Sequence, residues 1–186
     1  MGHESALASI KESYGRVVYS HKTHEKTVEL LNGRITRLKW ANLVLMVLTF
    51  GGVLNAVFAG GAVPNLLTVL VSALALALAI YRMSFNPEKE ILEHRKTANK
   101  LRHIRDQYAD LIGDIKDGAL SDEQIRQQRD GLRDRVDQVY ADAPDTTSKA
   151  YKRAQKALGI EEEMTFSKGE VDRFLPPEHR DPPAER

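Results

Sequence analysis

The chain has 186 residues, carries 27 Lys and Arg against 26 Asp and Glu, and contains no cysteine. A formal net charge of +1 excludes a strongly electrostatic nucleic-acid binder, so no direct nucleic-acid binding is expected. The missing cysteines exclude a disulfide framework, thiolate metal ligands and a cysteine nucleophile.

Residues 1–39 read as a helix outside the membrane. Leu7, Ile10, Tyr14, Val17, His21, His24, Val28, Leu31, Ile35 and Leu38 keep alternating spacings of three and four, the seam of a helix that packs on a partner helix. Only two histidines interrupt its apolar character. In His21-Lys22-Thr23-His24-Glu25 they stand three apart, which matches neither zinc-protease pattern, so they read as seam residues. A proton-sensitive contact is the functional alternative.

From residue 40 to residue 81 there is no Asp, Glu, Lys, Arg or His, whereas the flanks are charged at about every third position. A bilayer core needs roughly 20 apolar helical residues, so the run is long enough for two crossings. Gly60-Gly61-Ala62-Val63-Pro64-Asn65 interrupts it. The expectation is a transmembrane hairpin over 40–83, with helices at about 41–59 and 66–83 and a turn at about 60–65. The alternative is a helical hairpin buried in a soluble core. Lys22, Lys26, Arg34, Arg37 and Lys39 precede the run, and Arg82, Lys89, Arg95, Lys96, Lys100 and Arg102 follow it, while the turn has no basic residue. Both termini are therefore expected in the cytoplasm, with Trp40 and Tyr81 anchored at one interface.

Turning 100° per residue, Thr49, Gly52, Asn55, Ala56, Ala59 and Gly60 fall within about 140° of the first membrane helix. Thr68, Ser72, Ala75 and Ala79 form a narrow stripe on the second. Such small, weakly polar faces either pack helices closely or line an aqueous path between chains. No ionisable group lies at membrane depth, which argues against proton coupling or a charge-selective filter. A two-helix hairpin encloses no lumen, so conduction requires a homo-oligomer.

Residues 84–176 read as further helices. Asn86-Pro87-Glu88 is a helix start, with a capping side chain, a proline in the first turn and an acid at the positive end of the dipole. That helix runs to about 117–118 with the seam Ile91, His94, Ala98, Leu101, Arg105, Tyr108, Ile112 and Ile115. Ser121 and Gln124 match a capping box ahead of Ile125, Leu132, Val136 and Val139, and the helix stops near Asp142-Ala143-Pro144. A further helix starts near Asp145, carries Ala150, Tyr151, Ala154 and Leu158, and ends at Gly159. Ser167 and Glu170 form a second box, predicting a short helix over 168–175. Phe166, Val171, Phe174 and Leu175 are then candidates for docking onto the helical bundle of the same or a neighbouring chain. Residues 177–186 read as a disordered tail.

No GxxxxGK[ST], GxSxG or GxGxxG string occurs, and the carboxylates alternate with Arg and Lys along helix surfaces. No catalytic residue, cofactor site or metal site is assigned, and an enzyme is not expected. The fold class is all-α: a transmembrane hairpin with a cytoplasmic bundle of the N-terminal helix and several C-terminal helices.

HEKTVELLNGRITRLKWANLVLMVLTFGGVL, the closely spaced second apolar helix, the long helix after it and the ending YKRAQKALGIEEEMTFSKGEVDRFLP are similar to the SLATT families, the SMODS- and SLOG-associating two-transmembrane effector domains of bacteria. The resemblance covers about residues 5–176, and its most specific parts are LTFGGVL and TFSKGEVDRFLP. It implies an inner-membrane pore effector in a bacterial conflict or antiviral defence system. The implied trigger is a partner such as a nucleotide second-messenger synthase, a SLOG-type sensor or a reverse transcriptase. The different-class alternative is a non-conducting membrane anchor that holds a cytoplasmic partner.

Overall fold

The computed structural model describes residues 2–58, 62–84, 87–167 and 169–180, and every regular element among them is helical. The first, α1 (Gly2–Phe58), is one uninterrupted helix of 57 residues, about 85 Å long at 1.5 Å per residue. No proline lies within it to break the hydrogen-bond ladder. The boundary expected at residues 39 and 40 is thus a change of surface chemistry along a continuous backbone.

The second helix, α2 (Ala62–Ser84), begins inside the segment expected to form the turn. Pro64 is accommodated because first-turn amides have no intrahelical acceptor. Gly60 lies outside the described residues. Next, α3 (Pro87–Lys116) opens on the expected proline, with Glu88 and Glu90 in its first turn, while Asn86 lies outside the described residues. It closes in a Schellman turn: Gly118 at φ 67 lets its N–H reach the Ile115 carbonyl (3.2 Å) and that of Ala119 reach Asp114 (3.0 Å).

In α4 (Asp122–Ala141) both halves of the capping box form. Ser121 Oγ accepts from the Gln124 N–H (3.3 Å), and Gln124 Oε1 accepts from the Ser121 N–H (2.9 Å). The following α5 (Ser148–Gly159) starts later than expected because Thr147, not Asp145, supplies the cap, accepting from the Ala150 N–H at 3.2 Å. Beyond it, the helix expected over 168–175 is reduced to a 3-10 turn at Val171–Phe174. Gly169 at φ 75 places left-handed backbone where the first helical turn would be. One half of the second box survives, with the Ser167 N–H donating to Glu170 Oε2 at 2.9 Å. Another 3-10 turn, Pro177–His179, follows within the stretch expected to be disordered; residues 181–186 lie outside the described ones.

Packing divides the molecule along α1, with α3, α4 and α5 against its first half and α2 against its second. Ile10 and Val17 meet Leu101, Ile104, Tyr108, Leu111 and Ile115 of α3 and Ile125, Leu132 and Val139 of α4. Each such aliphatic side chain contributes about 1.5–3 kcal/mol when fully buried. Ala150, Ala154 and Ala157 give α5 a small buried face on α1, and Tyr151 stacks on Tyr19 with ring centroids 6.1 Å apart. The expected seams are therefore the packed ones, with Arg105 and Ile112 only half-buried and Thr97, Ile104 and Leu111 buried in addition.

The other half is its chemical opposite. Val47, Phe50, Val57 and Phe58 of α1 and Leu66, Val69 and Leu76 of α2 are 61–83% exposed. The first helix is long and apolar enough to cross a membrane, none of its apolar window is buried, and α2 carries a shorter apolar stretch, Leu66–Tyr81. A hairpin buried in a soluble core does not fit this exposure.

Candidate functional site

Two regions concentrate unusual chemistry: the contact between α1 and α2, and a polar layer where α1 meets α3. At the first, the helices run antiparallel. Gly52 faces Thr68 so closely that a Cβ on Gly52 would collide with the threonine side chain. At the far end Arg34 Nη2 donates to the Tyr81 hydroxyl and the guanidinium lies 5.9 Å from the Tyr81 ring centroid. Thr49, Gly52, Thr68, Ser72, Ala75 and Ala79 are half-buried, while Asn55 is exposed. Gly60 and the side chain of Ala56 lie outside the described residues. Ser72 Oγ donates to the Thr68 carbonyl (2.8 Å), so its hydroxyl is satisfied within its own helix. Thr49 Oγ1 is buried without a hydrogen-bond partner among the described residues.

The polar layer lies between the apolar core and the apolar half of α1. His94 is fully buried, and His21, His24, Thr23, Thr27 and Thr97 are nearly so. His24 Nδ1 lies 2.8 Å from His94 Nδ1, and His21 Nδ1 lies 2.9 Å from the Ala98 carbonyl. Two neutral imidazoles can share an Nδ1–Nδ1 hydrogen bond only as opposite tautomers, one donating and one accepting. His94 Nε2 is left without a partner among the described residues. Burial, then the charges His94 and His21 would carry, push the His24 pKa down to about 4. His21 and His94 are lowered too, chiefly by burial. The threonines hide their hydroxyls by donating one turn back, Thr23 to Tyr19 (2.7 Å), Thr27 to Thr23 (2.9 Å) and Thr97 to Glu93 (3.1 Å).

On the flank of this layer Lys22 and Lys26, one turn apart, converge on Glu163 from the segment after α5. Lys22 Nζ reaches Glu163 Oε2 at 2.6 Å and Lys26 Nζ reaches Oε1 at 2.9 Å. Glu25 and Glu29 complete the ring at 2.8 and 3.1 Å. Hydrogen bonds from Lys22 and then Lys26 hold the Glu163 carboxyl at about 2, well below the usual carboxylate range. Burial works to lower the lysine pKa values, but the carboxylates outweigh it and both are raised.

The proposed docking residues lie further along. Phe166, Val171 and Phe174 are exposed, Leu175 is half-buried, and Phe166 borders a groove beside Tyr14 and Tyr19. Sequence reasoning used Lys22 and Lys26 only as basic residues flanking the apolar run and passed over Glu163, because a carboxylate 137 residues from its partner Lys26 carries no local signature. The available signal was two lysines one turn apart alongside the histidines of a packing seam.

Among the described residues no group of three or more His, Cys, Asp or Glu is placed to hold a metal ion. His24 and His94 contact each other, and His21 contacts the Ala98 carbonyl through Nδ1 and lies 3.6 Å from Glu25 Oε1 through Nε2. No curated protein and no solved structure matches the chain. Over residues 7–170, however, it matches a family of two-membrane-helix effectors, a span that runs from the first seam leucine through α2 and the Glu163 contact. The chain therefore belongs to the SMODS and SLOG-associating 2TM effector domain family 4.

Proposed function

We propose that this member of the family is an inner-membrane effector of a bacterial conflict system. It crosses the bilayer twice with both termini in the cytoplasm, oligomerises through its cytoplasmic helices, and perforates or depolarises the membrane when a nucleotide signal or partner triggers it. The observation that carries this reading is the exposed apolar surface of α1 and α2, continuous with a charged, well-packed half. An effector that conducted at rest would kill its host, so a closed state is favoured until a ligand or partner with higher affinity for the open one shifts the balance. Phe166, Val171, Phe174 and Leu175 supply docking contacts to the same or a neighbouring copy.

A second reading is a non-conducting scaffold. It is favoured by Gly52 and Thr68, whose close approach within one chain uses the small faces for packing and not for lining a path. Induced expression in cells loaded with a potential-sensitive dye separates the two. Loss of potential on induction is expected; an intact potential at equal membrane abundance would overturn conduction and leave the scaffold.

A further inference from the structure

Three independent observations meet in the segment that follows α5. First, one carboxylate, Glu163, spans two lysine ammonium groups whose side chains are nine-tenths buried. Each ammonium also keeps one carboxylate of its own helix, Glu25 for Lys22 and Glu29 for Lys26, so Glu163 is the added, charge-assisted contact that ties the segment to α1.

Second, the residues on either side, Glu162 at φ 51 and Met164 at φ 77, are both held in left-handed backbone without being glycine. Each such residue weighs against the closed segment by a factor of roughly five to thirty, which is recovered when the segment lets go. Backbone strain of this kind persists only where surrounding contacts impose it.

Third, the segment reaches across three helices without filling the space beneath it. The Glu163 ion pairs tie it to α1, Met164 Sδ lies 3.9 Å from Arg105 Nη1 on α3, and the Glu163 N–H bonds the Ala157 carbonyl of α5 at 2.9 Å. Under it runs a groove of about 650 Å³ lined by Tyr14, Val18, Tyr19, Arg105, Leu158 and Phe166. Ion pairs pull the segment down while the backbone pushes it up.

We propose that residues 160–166 form a strained strap that latches α1 to α3 and α5 in the resting molecule, and that its release is a step of activation. The word activation rests on the effector reading; the mechanics of the strap do not. An anionic group that displaced Glu163 from Lys22 and Lys26 would free the strap, and the relaxed backbone would oppose its return. Loss of Glu163 and relief of the strain should act in opposite directions on closure and on the activation threshold alike, whereas a merely structural loop would move only closure.

The test uses the purified full-length chain in detergent with three measurements. Amide exchange over 160–166 reports closure, because in the closed strap the Glu163 N–H is bonded to the Ala157 carbonyl of α5. As the chain has no cysteine, a spin-label pair at Asn32→Cys and Asn99→Cys, both exposed, reads the α1–α3 distance. The inducer level at which cells lose potential reads activation. Glu163→Gln, which keeps the shape and removes the charge, is expected to speed exchange about tenfold or more, lengthen the α1–α3 distance and lower the inducer threshold. Glu162→Gly is expected to slow exchange about threefold, since relieved strain outweighs the flexibility glycine adds, and to raise the threshold. Unchanged exchange or distance in Glu163→Gln, or the same direction of change in both variants, would overturn the strap. If exchange and distance move as expected while no variant loses potential, the strap stands and the effector reading falls.

Discussion

His24 and His94 show how much a single contact can ask of its surroundings. Two imidazoles whose ring centroids lie 5.0 Å apart are buried where a proton on either would face the other. The groups around them are the carboxylates Glu25 and Glu90 and the cations Lys22 and Arg105. In the unfolded chain each histidine titrates near 6.5, whereas folded His24 titrates near 4. As pH falls from about 6.5 towards 4 the unfolded chain binds protons that the folded one refuses, so stability is full above that window and lost within it. For His24 alone the loss is on the order of 3 kcal/mol. Melting of the detergent-solubilised protein between pH 7.5 and 4.5 is expected to show this slope, and His24→Gln to flatten it. Glu163, held near 2, adds a separate loss as pH falls from about 4.5 towards 2, so its contribution follows that of His24 on the pH axis. The histidines themselves were legible from their seam positions; that they face each other was not, because nothing in either segment records the register between α1 and α3.

At the scale of elements, the local signals were strong where chemistry is local. The Ser121–Gln124 box, the start at Pro87 and the glycine stop after α3 all lie where their side chains place them. The expected helix over 168–175 failed for an equally local reason, the left-handed Gly169. Less legible was the continuity of α1, since a change from charged to apolar residues looks like a domain boundary although a helix backbone is indifferent to it. The pairing of α1 with α2 leads to a prediction about size. Ser72→Leu is expected to impair assembly or toxicity, because a bulky side chain on a half-buried face holds the helices apart at about 1–3 kcal/mol. Phe58→Trp, at a position 83% exposed, is expected to be tolerated. Crosslinked oligomer size and colony survival read both, and equal sensitivity at the two positions would show the faces wrongly assigned.

For the whole molecule, the asymmetry between a charged half and an apolar half sets the expected topology. Every basic residue near the apolar helices flanks their outer ends, and in the proposed topology the Arg34–Tyr81 contact would lie near the interface. Tags at Met1 and Arg186 are therefore expected to be protected from protease in sealed right-side-out vesicles and cleaved once the vesicles are opened. Cleavage of either tag in sealed vesicles would reverse the topology.

The unbroken backbone of α1 gives the molecule the mechanics of a lever. With no hinge between His24 and Phe58, a distance of about 51 Å, a swing of about 10° pivoting at the histidines carries the far end sideways by about 9 Å. That is close to the spacing of two packed helices. On the packed side of that pivot Ile10 lies about 21 Å away, so a shift of about 4 Å there is geared up to the full displacement at the far end.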